Sequence, residues 1–137
     1  MPEGRLKMSK KRILVVDDSK TAMMMIQMIL KRCSYDIVTA TNGRDAVEKA
    51  RECRPDLILM DVMMPEMGGF DAAVAIRKES DYEVPIIMVT TRGEAENVER
   101  GYNSGCSEYV TKPVDALELV AKIEKLLKEH NGDANGR

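Results

Sequence analysis

The sequence predicts an α/β fold, a three-layer sandwich in which a five-stranded parallel sheet lies between two layers of helices. Short apolar runs alternate with longer amphipathic stretches, which is the pattern of repeated strand–helix units. Glycine- and proline-containing breaks fall between the runs rather than inside them. Four of the five apolar runs end at an acid, a threonine or a lysine, and such sheets bind ligands at the carboxyl ends of their strands.

The elements can be placed in order from these runs and breaks. We predict strands near 12–17, 36–40, 56–60, 86–90 and 107–110, and helices near 19–33, 44–53, 69–80, 94–104 and 115–129. Asn42-Gly43 closes the second strand, and Arg54-Pro55 ends the second helix because proline disfavours helix at the residue before it. Ser104-Gly105 ends the fourth helix, since glycine is common just after a helix.

The chain has 137 residues, which suits one domain with a core rather than two. We predict that the domain spans 10–130 and that 1–9 and 131–137 are disordered tails. The second tail is polar and rich in glycine and asparagine, a composition typical of chain ends that do not pack.

Composition argues against several functional classes. With 21 basic and 23 acidic residues, the formal net charge of -2 does not indicate a nucleic-acid or membrane partner. The sequence contains neither a long apolar span nor a signal peptide. Cys33, Cys53 and Cys106 are odd in number and widely spaced, which argues against a disulfide framework or a zinc site. We therefore expect a cytoplasmic protein with reduced thiols.

Acidic side chains mark the ends of two predicted strands. Asp61 ends the run Leu57-Ile58-Leu59-Met60, and Asp17-Asp18 follows the first strand. Carboxylates forced together repel one another unless a divalent cation offsets their charge. Oxygen ligands in this number favour Mg²⁺, with Asp18 and Asp61 as direct ligands and Asp17 as a partner through water.

The same edge of the sheet should carry Thr90 and Lys112, and together these residues suit phosphoryl transfer. A carboxylate such as Asp61 is an established nucleophile for aspartyl-phosphate formation, so we predict that Asp61 is the phosphoacceptor. The Lys112 ammonium would stabilise charge on the phosphoryl oxygens, and Thr90 would donate its hydroxyl to another oxygen.

Each of these residues also has a structural interpretation that involves no chemistry. Asp17-Asp18 could form a solvated turn or cap a helix. Thr90 could be a buried strand residue with a satisfied hydroxyl, and Lys112 could be a surface charge. Only the joint placement of all of them favours a functional site.

Four motifs resemble the receiver domains of bacterial two-component response regulators, in particular the single-domain, CheY-like type. They are Val15-Val16-Asp17-Asp18-Ser19, Leu59-Met60-Asp61-Val62-Met63-Met64-Pro65, Val89-Thr90-Thr91 and Tyr109-Val110-Thr111-Lys112-Pro113. The likeness covers roughly 10–130. It implies a flavodoxin-like fold with strand order 2-1-3-4-5.

The resemblance also implies roles for individual residues. The backbone carbonyl of Met63 would be a metal ligand, and the bond between Lys112 and Pro113 would be cis. Thr90 would move toward the phosphoryl group while the Tyr109 ring turns inward, which converts phosphorylation into a changed surface.

Partners follow from the same resemblance. A sensor histidine kinase or a histidine phosphotransfer protein would dock on the first helix, with Ala22 and Met25 among its contacts. A downstream protein target would bind the face made by the predicted fourth helix, the fifth strand and the last helix. The protein would be a monomer or a weak, phosphorylation-dependent dimer.

Slow self-dephosphorylation is expected because Met63 can shield the phosphorus from water, and Arg92 is a second candidate for setting phosphate lifetime.

The first predicted helix is rich in methionine, within a total of 11 in the chain. Met25, Ile26, Ile29 and Leu30 recur at helical spacing and are interpreted as core. Met23, Met24 and Met28 exceed what one buried stripe needs, and we interpret them as a contact surface.

Two alternatives remain open. The chain could be a pseudo-receiver, an interaction module that binds partners without phosphorylation, or the receiver part of a longer regulator. A haloacid-dehalogenase-like phosphatase is disfavoured because Met63 stands where that family has a second aspartate. The only histidine, His130, lies at the end of the predicted domain, so a catalytic histidine is not expected. Direct DNA binding is not expected either, because no helix-turn-helix pattern is visible.

Overall fold

The computed structural model describes residues 10–64, 66–79, 83–91 and 105–134. Its elements in chain order are β1 (Arg12–Val16), α1 (Lys20–Arg32), β2 (Asp36–Ala40), α2 (Gly43–Cys53), β3 (Leu57–Asp61), α3 (Gly69–Arg77), β4 (Ile86–Thr91), β5 (Glu108–Lys112) and α4 (Ala116–Ala134). The helix predicted over 94–104, Arg92 and the tail predicted at 1–9 lie outside the described residues.

The five strands form one parallel sheet with the order β2-β1-β3-β4-β5. This order confirms the flavodoxin-like topology. β1 and β3 lie at the centre of the sheet, and both are covered on both faces, so every residue of β3 is buried. Burial on both faces explains why these strands appear in the sequence as unbroken apolar runs rather than as alternating patterns.

The sheet separates two apolar cores, because successive side chains of a strand point to opposite faces. In β1, Leu14 and Val16 pack into the core under α2 and α3, whereas Ile13 and Val15 pack into the core under α1 and α4. The helices are therefore held in two layers by neighbouring residues of the same strands.

Several element ends differ from the predicted ones. β3 includes Asp61 and β5 includes Lys112, so each functional residue is the last residue of its strand rather than the residue after it. α4 continues to Ala134, so the prediction that 131–137 is wholly disordered is wrong for 131–134. Asn131 and Gly132 weaken a helix by only about 1 kcal/mol each, which the preceding helical turns can offset.

Polar caps start the first two helices. The Ser19 hydroxyl accepts a hydrogen bond from the Ala22 N–H at 3.2 Å, which caps α1. The Asn42 side chain accepts one from the Asp45 N–H at 2.8 Å and caps α2. Ser19, not the acid pair before it, is the cap, so Asp17 and Asp18 are available for another role.

The three cysteines are free, as predicted, and Cys106 is buried. Burial raises the pKa of the Cys106 thiol to about 11, which leaves it protonated and unreactive at neutral pH. Among the described residues, no helix combines the length and apolar character that crossing a bilayer requires.

Gly69 allows α3 to begin directly against the end of β3. A Cβ atom at this position would collide with the Asp61 carbonyl oxygen and would lie 3.0 Å from the Val62 Cα. The Gly69 N–H also donates to the Val62 carbonyl at 2.9 Å. The close approach fixes the turn that follows Asp61, so Gly69 is required for space rather than for an unusual backbone conformation.

We predict that Gly69→Ala lowers the free energy of unfolding by about 1–3 kcal/mol, because the added methyl group overpacks the turn. In an unconstrained helix the same change would raise stability by roughly 0.5–1 kcal/mol. Chemical denaturation measures both the sign and the size of the change.

Gly68→Ala is the matched control, because its Cβ would meet only the Val62 carbonyl, at 3.2 Å. Its cost should be clearly smaller than that of Gly69→Ala. A stabilised Gly69→Ala variant would contradict the steric explanation.

Candidate functional site

The carboxyl ends of β1, β3 and β5 bring Asp17, Asp61 and Lys112 together. The Lys112 Nζ lies 3.3 Å from Oδ2 of Asp17 and 3.5 Å from Oδ1 of Asp61. Asp17 and Asp61 are both buried, with 2% and 5% of their surface exposed, whereas Asp18 is exposed. Ligand oxygens of all three carboxylates lie within 4.8 Å of one another. The convergence expected from the strand ends is therefore present in the structure.

Asp17 is held by the start of α1. Its Oδ1 accepts a hydrogen bond from the Ser19 N–H at 2.9 Å. Its Oδ2 is buried and accepts no hydrogen bond from the described residues, although the Lys112 ammonium lies nearby. Lys112 is therefore the ion-pair partner of this buried oxygen, and because the same ammonium also pairs with Asp61, it cannot offset both charges.

Asp61 is the group whose acidity the fold alters most clearly. Burial, and next the charge of Asp17, raise the pKa of Asp61 to about 6, while the Lys112 ammonium opposes this rise. Desolvation and a like charge both disfavour the ionised form. In the absence of a metal the folded chain therefore carries an energetic penalty for the ionised Asp61 side chain at neutral pH.

Lys112 is affected in the opposite sense by its neighbours. Burial alone would lower the pKa of Lys112, but the Asp61 and Asp17 carboxylates raise it above the ordinary value for lysine. The ammonium is thus fully charged at neutral pH. One positive charge faces two buried negative charges and a third exposed one.

This donor set fits Mg²⁺. Hard oxygen ligands that lie close together and a negative charge that one lysine cannot balance are the features that a small divalent cation satisfies. The exposed side chain of Asp18 leaves room for the water ligands that Mg²⁺ usually keeps.

Thr90 lies on β4, the strand next to that of Asp61, and Tyr109 lies on β5, the edge strand beyond β4. Thr90 is buried and follows Val89, which is the register partner of Asp61. Tyr109 pairs with Met88 and has only 9% of its surface exposed. The Lys112–Pro113 bond is cis, as the resemblance implied.

The first helix corrects the sequence interpretation at two positions, because Met25 was expected in the core and Met23 on a contact surface. Ile26 and Leu30 are buried, and Met23 and Ile29 pack against the same core. Met25 is exposed, so its assignment to the core is wrong. Met23 stands three residues before Ile26 and seven before Leu30, and it therefore occupies the stripe that Met25 was expected to fill.

Other methionines of α1 face outward, as predicted for Met24 and Met28. Ala22 and Met25 line a groove between α1 and the residues after β5, together with Pro113 and Val114. The groove lies beside Lys112, which also lines it. Docking of a partner here stays a prediction.

The family can now be identified. A match to the family described as "Response regulator receiver domain" spans residues 13–124. The chain is a member of this receiver family.

Two similar proteins are transcriptional regulators. The receiver is 36% identical over 118 residues to the alkaline phosphatase synthesis transcriptional regulatory protein PhoP of Bacillus subtilis, covering 86% of this chain and 49% of that protein. It is 39% identical over 116 residues to the transcriptional regulatory protein SrrA of Staphylococcus aureus, covering 85% and 47%. The chain spans about half the length of these curated relatives. The expectation that it acts without nucleic acid therefore stays a prediction.

Solved structures support the fold. The receiver resembles chemotaxis protein CheY4 of Vibrio cholerae with a TM-score of 0.81 and 34% identity, over 86% of this chain and 99% of that one. It resembles a CheY-like receiver domain protein of Methanospirillum hungatei with a TM-score of 0.85 and 30% identity, over 91% and 99%. The CheY-like resemblance is confirmed. Receiver domains generally bind Mg²⁺, in agreement with the acid cluster of this chain.

Two site-forming residues were not predicted as such. Ser19 holds Asp17 through its backbone N–H, and Gly69 shapes the turn after Asp61. Ser19 carried a detectable signal, because a serine before an apolar helical stripe is a typical N-cap. For Gly69 the sequence shows only the Gly68-Gly69 pair, which does not predict a contact with the β3 backbone.

We predict that Asp61→Asn stabilises the metal-free receiver at pH 8, by at most about 3 kcal/mol, because asparagine removes a buried charge. Because folding raises the pKa of Asp61, the folded wild type is most stable when Asp61 is protonated. This stability is lost as the pH rises from about 4 through about 6. The difference should shrink toward pH 4. Denaturation in a chelator at several pH values measures it.

Asp36→Asn is the control, because Asp36 is exposed and, within the described part of the chain, its side chain forms only a long 4.0 Å ion pair with Lys10. Its effect should be small and nearly constant with pH. Equal stability of wild type and Asp61→Asn at pH 8 would contradict the proposed charge penalty.

Proposed function

We propose that this receiver accepts a phosphoryl group on Asp61 from a phosphohistidine of a sensor kinase or phosphotransfer protein, or from a small phosphodonor, with Mg²⁺ bound. The observation that supports the proposal is the convergence of Asp17, Asp18 and Asp61 at the carboxyl edge of the sheet, with the Lys112 ammonium paired to Asp17 and Asp61. Family membership supports the same conclusion.

The proposed reaction is a displacement at phosphorus. A carboxylate oxygen of Asp61 forms a bond to phosphorus while the bond to the donor's imidazole nitrogen breaks, and that nitrogen leaves with the electron pair and takes up a proton. Bound Mg²⁺ supplies charge neutralisation for the phosphoryl oxygens. The reaction needs the ionised form of Asp61. In the metal-free chain this form predominates when the pH is above the Asp61 pKa of about 6.

The remaining residues would bind and position the phosphoryl group. Lys112 already lies between Asp17 and Asp61, and a short movement would place its ammonium on a phosphoryl oxygen. In β4, Thr90 directly follows Val89, the residue that pairs with Asp61, and the Thr90 hydroxyl is a suitable donor. These roles would account for the polar Thr90 after four apolar residues of β4 and for the lysine that ends β5.

The proposed output depends on Thr90 and Tyr109. The Tyr109 side chain is buried, so its ring is in contact with the interior of the domain. Thr90 would move toward the phosphoryl group and the inward position of the Tyr109 ring would accompany that movement. A protein target would bind the face that includes β5 and α4, and the kinase would contact Ala22 and Met25 beside the site.

Two further assignments remain within this proposal. Because the matched relatives are about twice as long and are transcriptional regulators, the first alternative that we propose is that this receiver is part of a longer regulator. A pseudo-receiver that binds partners without phosphorylation is the second candidate, and the first test below distinguishes it.

We predict one phosphoryl adduct per chain when the receiver is incubated with Mg²⁺ and acetyl phosphate. Intact-mass spectrometry measures the adduct. It should disappear with a chelator and in Asp61→Asn, because each removes a component that the reaction requires.

Asp71→Asn is the matched control, since Asp71 is an exposed aspartate in the first turn of α3, the next helix after Asp61. This variant should still be modified. An adduct that persists in Asp61→Asn, or no adduct in the wild type, would reject the phosphoacceptor assignment and favour the pseudo-receiver.

We predict a phosphoprotein half-life of minutes or longer, and a several-fold shorter one for Met63→Ala. Met63 follows Asp61 by two residues, and its long side chain can cover the path of an attacking water. Loss of the adduct with time, followed by intact mass after removal of the donor, measures the rate. Met28→Ala removes an exposed methionine from α1 and should leave the rate unchanged. A wild-type half-life of seconds would refute the shielding role.

A further inference from the structure

The segment 62–68 joins β3 to the start of α3, and it carries Met63, whose backbone carbonyl is a proposed Mg²⁺ ligand. Val62 is the first residue of this segment, and it is held on two sides. Its N–H donates to the Val89 carbonyl of β4 at 3.1 Å, and its carbonyl accepts from the Gly69 N–H at 2.9 Å. The sheet and α3 therefore fix this end of the segment.

The other end of the segment is held by α2. The Gly43 N–H donates to the Met67 carbonyl at 3.1 Å. Gly43 is the first residue of α2, and the N–H groups of the first helical turn have no partner within the helix ladder. The Asp45 N–H of the same turn is capped locally by Asn42, whereas the Gly43 N–H bonds to a distant part of the chain. This bond joins the start of α2 to the segment after Asp61.

Glycine is needed at position 43 for space. A Cβ atom there would collide with the Met67 carbonyl oxygen and would lie 2.9 Å from the carbonyl carbon and from the Cβ of the same residue. Gly43 belongs to an α-helix, whose backbone conformation other residues also adopt. The contact with Met67 is therefore what requires glycine, and any side chain would push α2 and the segment apart.

The described residues between the two ends also show that the segment is held from outside. Met64 and Met67 pack against the core under α2 and α3, whereas the Met63 side chain is 66% exposed. Glu66 has a φ of 67°, a left-handed conformation that is unfavourable for a residue with a side chain. The local preference of Glu66 is thus overridden, and the contacts at both ends of the segment act in that direction.

The shape of this segment matters for a metal because Mg²⁺ demands near-ideal octahedral geometry. We infer that Gly43 is a positioning residue for the Mg²⁺ site. By letting α2 donate to Met67, it holds the segment that carries the Met63 carbonyl. The inference rests on the proposed function, and it gives a role in metal binding to α2, which supplies none of the proposed ligands.

Gly43→Ala tests the inference, because the added methyl group displaces Met67 without replacing a proposed ligand or Lys112. We expect its Mg²⁺ affinity to fall by about tenfold, an effect typical of changing a residue that orients a metal ligand. Isothermal titration calorimetry with magnesium chloride measures the dissociation constant of the full chain. Far-UV circular dichroism confirms that the variant is folded, and chemical denaturation measures its stability.

Ala50→Gly is the matched control for lost stability. Ala50 is a buried residue of the same helix, and glycine inside a helix is destabilising. This variant should unfold more easily than the wild type but bind Mg²⁺ with the same affinity. If Gly43 served the fold alone, Gly43→Ala and Ala50→Gly would have equal Mg²⁺ affinities, and that result would overturn the inference.

The same titration separates failure of this inference from failure of the proposed function. A folded Gly43→Ala variant that binds Mg²⁺ as tightly as the wild type would overturn only the role of Gly43. A wild type that does not bind Mg²⁺ would overturn both.

Met67→Ala decides if Gly43→Ala does not fold. This change removes the side chain that packs the same end of the segment against the core, and it leaves α2 intact. Its Mg²⁺ affinity should be several-fold lower than that of Ala50→Gly. Equal affinities of these two variants would show that anchoring at Met67 does not position the metal site.

Discussion

Two buried carboxylates that share one ammonium are the constraint on which the rest of the site depends. Asp17 and Asp61 are removed from water by the sheet and its helices, and Lys112 can neutralise only one of them. The imbalance raises the proton affinity of Asp61 and creates the demand for a divalent cation. The fold tolerates this penalty because the apolar cores on both faces of the sheet stabilise the domain, and the same excess of negative charge favours a cation at the site.

Much of the fold could be predicted from the sequence because its determinants are local. Strands buried on both faces produce continuous apolar runs such as 57–60, and Asn42 and Pro55 mark the breaks between elements. The central site was predictable for a related reason. An acid at the end of a buried run is chemically out of place, and parallel strands necessarily bring their carboxyl ends to one edge. The position of Asp61 therefore follows from topology as soon as the strands are assigned.

What could not be predicted depends on contacts between distant parts of the chain. The rotation of α1 about its axis decides that Met23 rather than Met25 faces the core, and a methionine-rich helix gives little contrast for choosing between them. Gly69 is needed because a side chain there would collide with the β3 backbone, and the Lys122 ammonium donates to the Tyr109 carbonyl of β5 at 2.6 Å. In the sequence alone each is an ordinary glycine or lysine. The extension of α4 to Ala134 similarly reflects a helix whose start and packing are set elsewhere.

The unequal exposure of the three carboxylates has a kinetic consequence. Asp17 and Asp61 are buried, but Asp18 faces solvent at the rim of the site. A hydrated cation can therefore arrive and depart along the Asp18 side while the sheet and helices stay in place. Exchange of the ion would not require unfolding, unlike exchange at a structural metal site whose binding is coupled to folding. Occupancy would then follow the free Mg²⁺ concentration around the protein rather than the history of its folding.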